Sequence, residues 1–122
     1  MPSKKRLLVG LHNSSTLYAF TRCFKIDYDV DGVRTLEEMR QKAQTEQHDV
    51  YCMDLNLGCP NSLDISPAEE IFLLVQDRVE KGLAHFLGIS GNDETVRLAL
   101  AKGIPSLDSA DPEVIETLHS FA

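Results

Sequence analysis

Five apolar runs alternate along the chain with five segments of helical spacing, and that alternation restricts the fold more than any single motif does. The third run is the plainest. Val50, Tyr51, Cys52 and Met53 stand in unbroken succession, end in Asp54, and pass into a loop containing Gly58 and Pro60. A strand that is apolar at every position is one covered on both faces, as in a parallel sheet layered by helices. Parallel returns need crossovers, and right-handed helical crossovers put helices on both sides of the sheet. The expectation is therefore a doubly wound α/β fold with a five-stranded parallel sheet. In such sheets ligands collect in the crevice beyond the carboxyl ends of the strands, which makes Asp54 the first candidate site residue.

Taken in order, the first strand is expected over Arg6 to Leu11. The polar turn His12-Asn13-Ser14-Ser15 then caps a helix with Leu17, Phe20, Thr21 and Phe24 on its inner face. Ile26, Tyr28 and Val30 alternate with Asp27 and Asp29, the period-two pattern of an edge strand, and with Asp31 these acids read as a solvated face. The second helix turns Leu36, Met39 and Ala43 inward behind a Thr35–Glu38 capping box. After Asp54 an unusually long polar connection runs from Leu57 to Ile65. Its segment 58–66 is a second candidate for function, because long loops beside a site often carry it. Ser66 is expected to cap the third helix, with Pro67 at its first position and Ile71, Leu74, Val75 and Val79 facing inward. Ala84 to Ile89 reads as the fourth strand, delivering Ser90-Gly91-Asn92-Asp93 into a loop. Val96, Ala99 and Leu100 face inward from the next helix, and Ile104 to Leu107 is the fifth strand. Asp111-Pro112 opens a last helix that buries Val114, Ile115, Leu118 and Phe121.

Composition bounds the function. The 122 residues, 43% hydrophobic and 25% charged, fit one domain spanning 1–122 with a core that needs no staples. A formal net charge of −7 argues against direct nucleic-acid binding, which needs a basic face. No apolar run reaches bilayer length, and the apolar segment after the basic Met1 to Arg6 is too short for a signal-peptide core. Cys23, Cys52 and Cys59 form no paired framework and no metal-ligand spacing, which suits a reducing cytoplasm. Cys23 and Cys52 are expected to be small buried apolar residues, with Cys59 exposed in its loop. A small flavin-binding or hydrolytic enzyme is the weaker alternative. The chain has no glycine-rich phosphate loop after its first strand, no Gly-x-Ser-x-Gly elbow, and no Cys–His or carboxylate pair at usable spacing.

In this arrangement four loops converge on one edge, carrying His12-Asn13, Asp54, Ser90 and the region of Asp108. The layout resembles, over essentially the whole chain, the receiver domains of two-component response regulators of the chemotaxis-regulator type. Met53-Asp54-Leu55-Asn56-Leu57 is similar to the phosphoacceptor strand end, and Ile89-Ser90-Gly91-Asn92 to the Ser/Thr-Ala/Gly signature. Asp108-Ser109-Ala110-Asp111-Pro112-Glu113 looks like Lys-Pro-Phe-Asp-Pro-Glu with its lysine replaced. The resemblance implies a flavodoxin-like sheet in the order 2-1-3-4-5 and a phosphorelay role in signal transduction, without enzyme activity beyond self-phosphorylation from a small phosphodonor. It implies Asp54 as phosphoacceptor, Ser90 as the hydroxyl contacting the phosphoryl group, and Mg²⁺ held by Asp54 and the backbone carbonyl of Asn56.

The departures carry their own expectations. The acid pair is His12-Asn13, so the Mg²⁺ site should be weak or absent. The lysine position holds Asp108, whose charge near Asp54 would oppose ionisation of both. Ile104 to Leu107 offers no switch aromatic. The resemblance further implies a protein partner, a histidine kinase or a downstream effector, for a cytoplasmic monomer or weak dimer. The partner face would be the fourth helix, fifth strand and fifth helix. The alternative within the same class is an interaction module that works without phosphorylation and needs no cofactor.

Overall fold

The computed structural model describes residues 4–61 and 63–122; the lead-in residues 1–3, and Ser62 within the long loop, lie outside the described residues. The alternation becomes β1 (Lys5–Gly10), α1 (Ser14–Phe24), β2 (Tyr28–Val33), α2 (Leu36–Thr45) and β3 (Val50–Asp54). It continues as α3 (Ser66–Glu80), β4 (His85–Ser90), α4 (Asp93–Ala101), β5 (Ser106–Asp108) and α5 (Glu113–Ser120). Every strand pair is parallel and the sheet order is β2-β1-β3-β4-β5, the expected doubly wound topology.

The unbroken apolar run of β3 has two cores to fill because successive side chains point to opposite faces. Val50 and Cys52 join Leu7, Val9, Leu87 and Ile89 under α1 and α5, where Phe24, Val114 and Leu118 complete the layer. Tyr51 and Met53 join Leu8 and Phe86 on the other face, beneath Met39 of α2, Ile71 and Val75 of α3, and Ala99 of α4. Gly88 in β4 fixes the end of β3. A Cβ at this position would overlap Leu55 Cδ2 and lie 3.0 Å from both Leu55 Cγ and Ser106 Oγ, so the buried Leu55 packs directly onto the β4 backbone.

Several expectations shift. Residues 25–27 form a turn, closed by the Asp27 N–H on the Phe24 carbonyl at 3.1 Å, so β2 begins at Tyr28 and Ile26 is 77% exposed. Cys23 is exposed on α1 rather than buried, whereas Cys52 is buried as expected. The inner face of α3 is Ala68, Ile71, Phe72 and Val75, with Leu74 exposed; α4 buries Thr95 and Ala99 and exposes Leu100; α5 exposes Ile115. The sheet selects among neighbouring apolar stripes on each helix. The Thr35–Glu38 capping box forms, Thr35 Oγ1 accepting the Glu38 N–H at 3.1 Å. Ser66, in contrast, is the first residue of α3. The carboxylate before it does the capping: Asp64 Oδ1 accepts the Ser66 N–H at 2.9 Å and the Ser66 hydroxyl as well.

Candidate functional site

β1, β3 and β4 lie side by side and end together, Gly10 opposite Met53 and Asp54 opposite Ile89. The loops that leave them enclose an open cavity of about 640 Å³ into which His12, Asp54, Asn56 and Ser90 all face. Its remaining walls come from Gly58 to Pro60 and from Gly91 and Asn92. Four of the residues singled out in the sequence are thus brought together, and Asp54 is the only carboxylate among the described residues that line the cavity.

Asp54 is half-buried, and its Oδ2 accepts the main-chain N–H of His12 at 2.9 Å. Burial pushes its carboxyl above the ordinary range, while that hydrogen bond and the His12 ring work against the rise. The strand end is pinned by the Leu55 N–H on the Ile89 carbonyl at 2.9 Å. The Asn56 carbonyl accepts the Cys59 N–H at 2.9 Å, closing the first turn of the long loop. Arg34 Nε donates to the His12 carbonyl at 3.3 Å and so ties the loop after β1 to the end of β2. Ser90 Oγ accepts the Asn92 N–H at 3.1 Å, and Asn92 Oδ1 in turn accepts the N–H groups of Glu94 and Thr95, capping α4. The serine hydroxyl therefore belongs to the hydrogen-bonded lead into α4.

Two predicted positions stay outside the cavity. Asn13 Oδ1 accepts the Thr16 N–H at 3.0 Å and caps α1. Asp108 pairs in register with Ser90, one strand beyond it, and its Oδ1 accepts the Ala110 N–H at 2.8 Å within its own turn. The groups that shift Asp54 are its burial and His12, with no contribution from Asp108. Cys59, expected to be exposed, is half-buried in the cavity wall with its Sγ donating to Asp64 Oδ2 at 3.4 Å. Asn92 was legible only as part of the Ser-Gly-Asn-Asp loop, where its capping side chain is the signal.

A denser polar cluster sits at the opposite edge, before β3. Asp31, Glu46 and His48 bring ligand atoms within 4.8 Å of one another. The cluster already holds a cation, for the Arg6 guanidinium donates to Asp31 Oδ2 at 2.9 Å and to Glu46 Oε1 at 2.5 Å. Arg6 and Lys42 hold the Glu46 carboxyl down to about 2. Burial would raise Asp31, but its bonds to His48 and Arg6 keep it below the ordinary carboxylate value. His48 is fully buried, 2.7 Å from Asp31 through Nε2, and burial pushes its pKa down. The solvated acidic face expected of β2 is thus partly an ion-paired one. Asp31 is held as described by the Arg6 guanidinium of β1, and Asp27 lies 2.8 Å from His119 Nδ1 of α5.

Among the described residues no helix is long and apolar enough to cross a membrane. No family model matches the sequence. No curated protein matches it either. Solved structures do. A response regulator from Burkholderia pseudomallei, determined with a phosphorylated aspartic acid, a calcium ion and citrate, superposes with a TM-score of 0.72 at 22% identity over 94% of this chain. The chain spans 64% of that protein's length. A CheY-like receiver domain from Methanospirillum hungatei matches with a TM-score of 0.73 at 16% identity, covering 97% of this chain and 93% of that one. The chemotaxis response regulator CheY4 of Vibrio cholerae matches at 0.72 and 18% identity, over 98% of this chain and all of the other. At these identities the likeness is one of architecture, and it extends over nearly every element from β1 to α5: the chain has the receiver-domain fold of the two-component response regulators.

Proposed function

We propose that the chain is a receiver module of two-component signalling, with Asp54 as its phosphoacceptor and a protein–protein contact as its output. One observation supports this above the others: Asp54 and Ser90 end adjacent parallel strands and open into the same cavity. In the reaction, an Asp54 carboxylate oxygen attacks the phosphorus of an acyl phosphate or of a kinase phosphohistidine. The bond from phosphorus to the leaving oxygen or nitrogen breaks, the leaving group keeps the electron pair, and Asp54 becomes an acyl phosphate. Oδ1 is the oxygen left for the attack, since among the described residues only Oδ2 accepts a hydrogen bond. The phosphoryl group then draws the Ser90 hydroxyl, which at present holds the Asn92 N–H. That exchange loosens or re-forms the cap of α4, a local change with a reach beyond the cavity.

The partner, a histidine kinase or an effector in the cytoplasm, meets the face of α4, β5 and α5, where Leu98, Leu100 and Ile115 are exposed. The start of the long loop, Gly58 to Pro60, contributes the other wall of the entrance. A second reading, an interaction module that works without phosphorylation, draws support from Asp54 being the only acid among the described residues that line the cavity. Intact-mass measurement after treatment with acetyl phosphate and Mg²⁺, beside Asp54→Ala, decides between them. One phosphoryl group added to the wild type and absent from the variant is the expected result. An unchanged wild-type mass, under conditions that label a control receiver, leaves the second reading in place.

A further inference from the structure

Phosphoryl transfer to a strand-end aspartate ordinarily draws on a divalent cation to offset charge on the transferring oxygens. The positions implied for that ion are Asp54, the Asn56 carbonyl, and His12 and Asn13 in the loop after β1. In this protein one oxygen at each of Asp54, Asn13 and Asn56 is already engaged by the chain itself. Asp54 Oδ2 accepts the His12 N–H, Asn13 Oδ1 is turned away to cap α1, and the Asn56 carbonyl accepts the Cys59 N–H. What remains is Asp54 Oδ1, the second lone pair of Asp54 Oδ2 and the second lone pair of one carbonyl, which together make two protein groups and a single negative charge. Mg²⁺ demands a near-ideal octahedron of hard oxygens and gives up its water reluctantly, and an imidazole at position 12 is a poor hard-ion ligand. The residues do not fit the ion.

We infer that the Asp54 cavity works without a divalent cation, the main-chain N–H of His12 supplying the positive dipole that offsets the Asp54 charge. The inference concerns the same cavity as the proposed phosphoacceptor and rests on that assignment for its meaning in signalling. Its physical content, cation occupancy, is separate. The N–H is fixed by the chain rather than recruited from solution, so the carboxylate is held in one orientation at all ionic compositions. The paired cluster of Asp31, Glu46 and His48 lies at the other edge of the sheet and does not share these donors.

The test is an NMR titration of the full chain with MgCl₂ and, separately, CaCl₂, against NaCl at matched ionic strength and with no phosphodonor present. Carrying it to about 20 mM covers the weakest protein-built sites, which work near millimolar concentration. The amides of His12, Asp54, Leu55, Asn56 and Gly91 are expected to show no saturable shift, whether or not those of Glu46 and His48 move. The double variant His12→Asp/Asn13→Asp is expected to gain a saturable response at these amides, with an apparent Kd inside the titrated range, below about 20 mM. Both positions are exposed, and aspartate caps a helix as well as asparagine does, so the variant keeps its fold. A saturable millimolar response of the wild-type cavity that disappears in Asp54→Asn overturns the inference. Because this readout needs no phosphotransfer, it can fail while the adduct measurement succeeds, and the reverse.

Discussion

Gly88→Ala offers a direct measure of how rigidly the end of β3 is held. The new methyl would overlap Leu55 Cδ2, with Leu55 Cγ and Ser106 Oγ each 3.0 Å away. The end of a flexible side chain can usually swing clear, but Leu55 is fully buried and has no solvent to swing into. Overpacking of this kind costs about 1–3 kcal/mol. Leu55→Ala alone should cost about 2–5 kcal/mol through lost burial and a residual cavity. In that background the overlap with Leu55 is gone and only the 3.0 Å approach to Ser106 Oγ remains, so the cost of Gly88→Ala should fall to within about 1 kcal/mol of zero. The cost of one substitution thus depends on its neighbour, and the coupling energy is on the order of 2 kcal/mol. Urea unfolding of the four proteins at pH 7, with equal m-values as the condition for comparison, measures it. Equal effects of Gly88→Ala in the two backgrounds, to within about 0.5 kcal/mol, would show that Leu55 does not bear on β4 as described.

Burial raises the Asp54 carboxyl, with the His12 hydrogen bond opposing it, so the folded state holds the proton more tightly than the unfolded chain does. The stability this contributes is present at low pH and lost as pH rises from the ordinary 3.8 through the folded value. Asp54→Asn keeps an acceptor for the His12 N–H and should therefore raise the thermal midpoint at pH 7, with the difference closing as the pH falls below that range; a lower midpoint at pH 7 refutes the assignment. His48 has the opposite linkage: burial lowers its pKa despite the bond to Asp31, so the unfolded chain protonates first and stability declines as pH falls below 6.5. His85 is lowered as well, so His48→Gln should reduce the slope of stability against pH in that region without abolishing it, and an unchanged slope counts against a neutral buried His48. Native alkylation with iodoacetamide, followed by peptide mass mapping, should modify exposed Cys23 first and half-buried Cys59 more slowly. Cys52, whose thiol burial pushes up, should stay protected until the chain unfolds, and its early labelling contradicts the core.

The parts of the fold readable from sequence are those where one physical cause dominates. A strand covered on both faces needs apolar residues throughout, so Val50 to Met53 and Phe86 to Ile89 declare themselves, and the alternation of such runs with helices leaves little freedom of topology. Helix faces are less legible. Leu74, Leu100 and Ile115 are as apolar as the residues beside them, and only the shape of the sheet decides that Phe72, Ala99 and Val114 go inward. Cys23 followed the same logic in reverse, a small apolar side chain placed on the wet side of α1 by a face centred on Leu17, Phe20 and Phe24. At the cavity, the identity of Asp54 and Ser90 was visible because strand-end positions are fixed by the strands. The direction taken by Asn13 and Asp108 was not, because each short polar side chain found a partner in its own turn, a local choice that spacing does not encode.

The sheet order explains why the electrostatics of Asp54 are set by so few groups. β3 lies between β1 and β4, so only the loops leaving those two strands and its own can reach its end. β5 is two strands away, roughly 10 Å at the usual strand spacing. A charge at the end of β5 acts on Asp54 only if it is carried back across β4 on a long side chain. Asp108 is short, stands beside Ser90, and has its carboxylate committed to the Ala110 N–H. Asp108 therefore does not install at Asp54 the repulsion that its sign suggests. That leaves the field at Asp54 to burial and His12, the one neighbour that the β1–β3 register forces into contact with it.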